Sequence, residues 1–210
     1  TRIEPHVRRT PLLTSAPLSE QHGADIAIKC EHLQRTGSFK VRGSANVVHS
    51  LSPDVAAEGV ITASSGNQGI GGATAAASRG FACTIYLPEA AAPSKIAQIR
   101  RLGAEIVHVE GTDTSRAEMA ARRAAEERGI TYVSPYNDPR IIAGQGTIGK
   151  EILEDGAAPD AVVVSVGGGG LISGIATWSS CHREARLSQV LAAISREPRD
   201  QLPARHKHGH

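Results

Sequence analysis

The chain has 210 residues, a formal net charge of +2, and a composition that is 40% hydrophobic but only 3% aromatic. That length carries one large domain or two small ones, and the near-neutral balance calls for neither nucleic acid nor an anionic membrane as partner. Few aromatics beside many Ala, Gly, Val and Ile suit a closely packed α/β protein rather than a β-sandwich. No apolar run is long enough to predict a membrane span. Thr1 to Arg9 is charged and lacks the apolar core of a signal peptide. Cys30, Cys83 and Cys181 are an odd count without paired spacing, which reads as reduced thiols of a cytoplasmic protein.

In chain order, the pattern predicts a strand over Asp25 to Lys29 and a helix over Ser38 to Leu51. Gly59 to Ala63 reads as a short buried strand and Gln68 to Arg79 as a helix of small residues stopped by Gly80. Cys83 to Leu87 reads as a strand. Pro93 to Leu102 follows as a helix with Pro in its first turn and Gly103 just past its end. Glu105 to Val109 is a strand. Ser115 to Arg128 is a helix, with Ser115 and Glu118 as an expected capping box and Gly129 as its stop. Ile141 to Glu154 reads as helical despite Gly144, Gly146 and Gly149, for which close packing is the reason. Ala161 to Val166 is a continuous apolar run, expected as a strand buried on both faces. Strict alternation of strand and helix predicts parallel sheets with flanking helices.

Three segments carry chemistry. The first is Thr36-Gly37-Ser38-Phe39-Lys40-Val41-Arg42-Gly43. Its ordinary reading is a turn, a Ser cap and a solvated lysine. Its functional reading is a lysine at a helix N-terminus, where the dipole and partial burial disfavour the ammonium form. Such a lysine can form an imine with an aldehyde. The second, Ser64-Ser65-Gly66-Asn67-Gln68-Gly69, follows a strand directly. It is either a common β-to-α turn or a loop whose N–H groups and hydroxyls hold a carboxylate. The third is Gly167-Gly168-Gly169-Gly170, between a buried strand and Leu171 to Ile175. A glycine-rich turn there presents backbone N–H groups to a phosphate. The dinucleotide spacing, with its later acidic residue, is absent. His32, His49 and His108 are scattered and read as surface or satisfied histidines rather than metal ligands.

In this order the segments resemble the pyridoxal-phosphate (PLP) enzymes of the serine/threonine dehydratase type. Glu31 to Lys40 is similar to that family's PLP-attachment signature, and Ser64 to Asn67 and Gly167 to Gly170 fall where it places its substrate and phosphate loops. Arg9-Thr10-Pro11-Leu12 and Ala143-Gly144-Gln145-Gly146-Thr147 match as well, so the resemblance covers Ile3 to Ala176. Val41 and Ser44 stand where other residues are commoner, and Gln68 replaces the usual His.

The resemblance implies fold type II of the PLP enzymes, with a large domain over 1–51 and 135–177 and a small domain over 52–134. Lys40 would hold the cofactor and move protons at the substrate Cα. Asn67 would bond the cofactor's 3′-oxygen, Gly167 to Gly170 would cradle its phosphate, and Ser64, Ser65 and Gly66 would hold the substrate carboxylate. The implied reaction turns a hydroxy amino acid such as L-threonine or L-serine into a 2-oxo acid and ammonia, in a homo-oligomer. A serine at position 65 also matches the family's serine racemases, where it is the second base. Dehydratases of the hydroxyectoine-utilisation type look similar over Leu33 to Ala45.

The segment from 178 to 210 departs from that pattern. It is rich in Arg, His, Ser and Gln, with one weak helical stretch, Glu184 to Ser195, no buried strand, and an end expected to be disordered. The family's further large-domain strands, and the Ser, Thr or Cys that faces the pyridine nitrogen, are not read here. The chain is therefore expected to be C-terminally truncated, through a frameshift in one account, and a PLP-binding remnant without turnover is the alternative to an active enzyme.

Overall fold

The computed structural model describes residues 1–64, 66–156, 159–181 and 189–193. The chain opens with β1 (Leu12–Thr14), α1 (Ala16–His22) and β2 (Ala27–Lys29). The two strands pair antiparallel, with Leu12 opposite Lys29. Gly23, at φ 62°, ends α1 in the left-handed region that glycine adopts without strain. A single 3-10 turn, Glu31–Leu33, leads to α2 (Lys40–Val48). The expected Ser cap on α2 is not formed: Phe39 is the N-cap residue, and Ser38 Oγ is buried without a partner. The helix starts two residues later than its pattern predicts, which makes Lys40 its first residue.

After α3 (Pro53–Ala57) comes the largest sheet. It is built from β3 (Val60–Ala63), β4 (Cys83–Pro88), β5 (Glu105–Val109) and β6 (Thr131–Tyr132), with α4 (Asn67–Ala77), α5 (Pro93–Arg101) and α6 (Thr114–Arg128) as crossovers. All pairs are parallel, in the order β5-β4-β3-β6. Alternate β3 residues point to opposite faces. Val60 joins a core with Ile70, Ile85, Ile99 and Val48, while Ile61 joins Ala121, Ala125 and Ile130 under α6. Covering on both faces explains why β3 reads as an unbroken apolar run.

The cap of α6 differs from the expected box. Asp113 is the N-cap residue and accepts from Ser115 N at 2.8 Å, which leaves Glu118 free for other partners.

Next come α7 (Pro139–Glu154), β7 (Ala161–Ser165), α8 (Gly170–Cys181) and β8 (Gln189–Ala193). Asp138 caps α7, with Pro139 in its first turn. The glycines of α7 are explained by close packing, as expected. A Cβ on Gly144 would lie 2.6 Å from Gly43 Cα, and one on Gly146 would lie 2.8 Å from Gly174 O. Backbone therefore meets backbone where α2, α7 and α8 touch.

Two expectations are corrected. β7 is not buried on both faces, since Val163 is 69% exposed while Val164 packs on Ile148, Ile152 and Ile175. An apolar run reports what a strand can bury against, not which neighbours cover it. The segment after Thr177 is also more regular than its composition predicts. α8 continues to Cys181, and residues 189–193 form β8, parallel to β7 with Val162 opposite Val190. Helix-favouring Glu, Ala and Arg suggested a helix over Glu184 to Ser195. Pairing with β7 overrides that local preference at 189–193. The expected disordered end lies outside the described residues. Among the described residues, no helix is long and apolar enough to cross a membrane.

Candidate active site

The C-terminal ends of all four parallel strands converge on one cavity of about 400 Å³. Ala63 and Ser64 come from the end of β3 and Pro88 from β4. Thr114, Ser115 and Glu118 follow β5 on α6, and Pro135 and Tyr136 follow β6. Lys40, Asn67 and Gln68, from the first turns of α2 and α4, complete the wall. In open parallel sheets this is where ligands bind, and the volume is that of a small-molecule site.

Lys40 reaches this cavity because α2 packs tightly on α4: a Cβ on Gly71 would stand 3.1 Å from the Lys40 carbonyl carbon. Its Nζ donates to Pro135 O at 2.6 Å and lies 5.4 Å from the centre of the Phe39 ring. Burial pushes the Lys40 ammonium below the ordinary lysine range. Pro135 is held in turn by the strand before it. Val133 N donates to Ile61 O, and Thr62 Oγ1 donates to Val133 O, both at 2.7 Å.

Of the substrate-loop residues, Ser64 Oγ accepts from Gly66 N at 3.0 Å, so these two are tied to each other. Ser65 lies outside the described residues. Asn67 is the first residue of α4, exposed toward the cavity, and its side-chain amide makes no hydrogen bond among the described residues. Gln68 Nε2 donates to Ser44 Oγ at 3.3 Å and Ser134 O at 3.4 Å, while its Oε1 is buried without a partner.

Gly167 to Gly170 do not line the cavity; Tyr136 stands between. A Cβ on Gly168 would overlap the Tyr136 ring, and one on Gly170 would lie 2.6 Å from Tyr136 O. Two of the four glycines are thus required by close packing, a reason the sequence did not show. Gly169, at φ 85°, makes the turn into α8. Among the described residues, the N–H groups of 167–169 have no hydrogen-bond acceptor.

These residues fit the cofactor. A desolvated amine faces a small-molecule cavity, with an unsatisfied buried carbonyl oxygen beside it. A glycine turn with open N–H groups adjoins them, suited to an anion. Lys40 and Asn67 would hold the ring and 167–170 the phosphate.

Glu118 and Tyr136 were missed by sequence. Tyr136 hydroxyl donates to Glu118 Oε2 at 2.9 Å, and this bond raises the Tyr136 pKa. Arg122 donates to Glu118 Oε1 from Nε at 3.1 Å and Nη2 at 2.7 Å. The readable signal was position: both residues follow strand ends.

A family model described as "Pyridoxal-phosphate dependent enzyme" matches residues 3–202. The match extends past Ala176, where the resemblance read from the sequence stops. The β-hydroxyaspartate dehydratase of Paracoccus denitrificans is 45% identical over 197 residues, which is 94% of this chain and 61% of that protein. The L-threonine ammonia-lyase of Geobacter sulfurreducens is 46% identical over 197 residues, 92% of this chain and 48% of that protein. Among solved structures, maize serine racemase superposes with a TM-score of 0.85 at 36% identity, covering 91% of this chain and 57% of that one. The chain thus spans between about half and three-fifths of the length of the curated relatives described here. With the family model matched from Ile3 to residue 202 and the fold shared with maize serine racemase, the chain belongs to the pyridoxal-phosphate-dependent enzymes of fold type II.

Proposed function

We propose that the protein is an ammonia-lyase that converts a hydroxy amino acid, L-threonine or L-serine, into a 2-oxo acid and ammonia. The observation that carries this reading is Lys40. It is a buried amine of lowered basicity, in one cavity with Ser64 and Asn67 at the ends of four parallel strands. Relatives named L-threonine ammonia-lyase and β-hydroxyaspartate dehydratase support the reaction class.

The cofactor, when bound, takes up the negative charge that develops at the substrate Cα. The chain's own residues orient and move protons. Lys40 would give up its bond to Pro135 O to hold the cofactor and, once the substrate amine has displaced it, would remove the Cα proton, for which a lowered pKa suits it. Asn67 would fix the cofactor ring by its amide, and the N–H groups of Gly167, Gly168, Gly169 and Gly170 would bind its phosphate. Ser64, Ser65 and Gly66 bind the substrate carboxylate once the Ser64 to Gly66 bond opens. Loss of the β-hydroxyl as water leaves an enamine, which hydrolyses to the 2-oxo acid and ammonia.

The residues fall into a cofactor-holding domain, 1–51 and 135–177, and a substrate-loop domain, 52–134. The buried free thiols of Cys30 and Cys83 suit a cytosolic setting, and the exposed Val163 face of β7 suits a homo-oligomer.

The test is absorbance and product release. The chain mixed with PLP gains a visible band that Lys40→Ala abolishes, and it releases 2-oxo acid from L-threonine or L-serine. A colourless chain under excess PLP overturns the reading. A racemase reading, favoured by the likeness to maize serine racemase, shares the Cα proton step. Chiral chromatography separates it: D-serine without 2-oxo acid replaces the lyase reading.

A further inference from the structure

Glu118 is the one carboxylate among the residues lining the Lys40 cavity. A carboxylate has about four acceptor positions. Arg122 fills two on Oε1, and the Tyr136 hydroxyl fills one on Oε2. One position, on Oε2, remains open to a donor.

Among the described residues, no cation in the wall is free to meet a second anion. Lys40 is the one cationic residue of the lining, and the proposed function uses it. Arg122 does not line the cavity; its guanidinium lies 4.5 Å from the Tyr132 ring centre. Exposed Arg116 lies beside Gly111, with Nη1 3.7 Å from where a Cβ would stand. The positive end of α6 is answered by Asp113, whose carboxylate already accepts from Ser115 N. Thr114 and Ser115 offer hydroxyls, which serve a neutral group as well as a charged one.

We propose that Glu118, braced by Arg122 and Tyr136, determines substrate specificity: its open Oε2 position accepts a hydrogen bond from a neutral side chain and excludes a side-chain carboxylate. The substrate class is then a neutral β-hydroxy amino acid rather than a hydroxy dicarboxylic acid, although a relative is named for β-hydroxyaspartate. Repulsion between two carboxylates in a partly desolvated site exceeds what a neutral hydrogen bond from Thr114 or Ser115 returns. This inference rests on the proposed function, because it needs the substrate's carboxylate and amine to be placed by the residues assigned there.

L-Asparagine and L-aspartate have nearly the same shape and differ in side-chain charge, so their binding to the PLP-loaded chain, measured by calorimetry, isolates the effect. The wild type is expected to bind L-asparagine at least about tenfold more tightly than L-aspartate. Glu118→Gln brings the two to within about threefold, while Tyr136→Phe keeps the preference because the charge remains. Should Glu118→Gln fail to fold, Ser115→Lys, at an exposed position on the same wall, is expected to narrow the ratio by supplying the missing cation. Equal affinities in the wild type, no binding of either amino acid, or a ratio unmoved in both Glu118→Gln and Ser115→Lys overturns the inference. The two readings fail separately. Discriminating binding without 2-oxo acid release counts against the lyase alone. Equal release of 2-oxo acid from L-threonine and 3-hydroxyaspartate counts against Glu118 alone.

Discussion

Arg42 is wholly buried and faces Glu151 across the contact between α2 and α7, donating to Oε1 at 2.6 Å and Oε2 at 2.9 Å. It also reaches both oxygens of Glu31 at 2.8 Å. Lys29 adds to the same carboxylate, with Nζ 2.9 Å from Glu151 Oε2. One guanidinium two residues past Lys40 thus ties the start of α2 to the turn before it and to α7. A planar fork that serves two carboxylates at once is what Arg supplies and Lys does not.

Arg42→Ala leaves Glu31 without a cation and Glu151 with Lys29 alone, in a partly buried site. Leaving a buried charge unpaired costs about 3–5 kcal/mol, so the variant is expected to unfold at a much lower urea concentration. Arg42→Lys is expected to restore less than half of the loss, because one ammonium cannot satisfy four carboxylate contacts. Equilibrium urea unfolding of the three proteins checks both statements. A wild-type midpoint in Arg42→Ala would show the network to be idle.

Acid should unfold the protein in two separable steps. Burial pushes His49 down to about 4, helped by neighbouring His6, Arg79 and Arg2. The unfolded chain therefore takes up a proton that the folded one refuses, and stability falls as pH drops from about 6.5 toward 4. Burial opposes ionisation of Glu151, but the hydrogen bonds from Arg42 and Lys29 outweigh it and hold the carboxyl below its ordinary range. Its contribution is full above the unfolded value of about 4.3 and is lost as pH falls through the lower folded value. Urea midpoints measured from pH 7 to 3 should lose the first limb in His49→Gln and the second in Glu151→Gln. If His49→Gln leaves the limb between pH 6.5 and 4 intact, His49 is not its source.

What the sequence disclosed follows from how local each feature is. Lys40, Asn67 and the glycine turn stand in contiguous motifs, and β3, β4 and β5 announce themselves as short apolar runs between helices, whereas the two-residue β6 does not. Glu118 and Tyr136 lie on different elements and meet only because β5 and β6 end at the same edge of the sheet. Glu118 also had a plausible local role as partner to a Ser115 cap, but Asp113 takes the cap position instead. Arg42 looked like part of the cofactor motif; its partner Glu151 comes from α7. The exposure of Val163 and the pairing of β8 depend on neighbours, which no run of residues contains.

Gly144→Ala tests whether backbone contact sets the spacing of α2 and α7. Its Cβ would stand 2.6 Å from Gly43 Cα and 2.7 Å from Arg42 O. Neither atom can yield without moving a helix, so a loss of about 1–3 kcal/mol is expected. Gly72→Ala is the comparison, since its Cβ meets the Thr62 methyl at 3.1 Å, a side-chain contact that a small shift relieves. Thermal melts should place Gly144→Ala well below Gly72→Ala; the reverse order would mean that the helices part more easily than their packing implies.

Gly167→Ala separates cofactor binding from folding. A Cβ there meets nothing within 4 Å, and Gly167 is absent from the glycines of positive φ, so the added methyl costs the fold little. On the proposed phosphate turn, however, the methyl stands where an anion approaches the open N–H groups. Affinity for PLP, titrated by the visible band, is expected to drop about tenfold, or roughly 1.4 kcal/mol, with the melting temperature of the cofactor-free chain unchanged. Gly168→Ala overlaps the Tyr136 ring and should lower both. A Gly167→Ala chain that binds PLP as tightly as the wild type would move the phosphate away from this turn and leave its glycines explained by Tyr136 and the bend into α8.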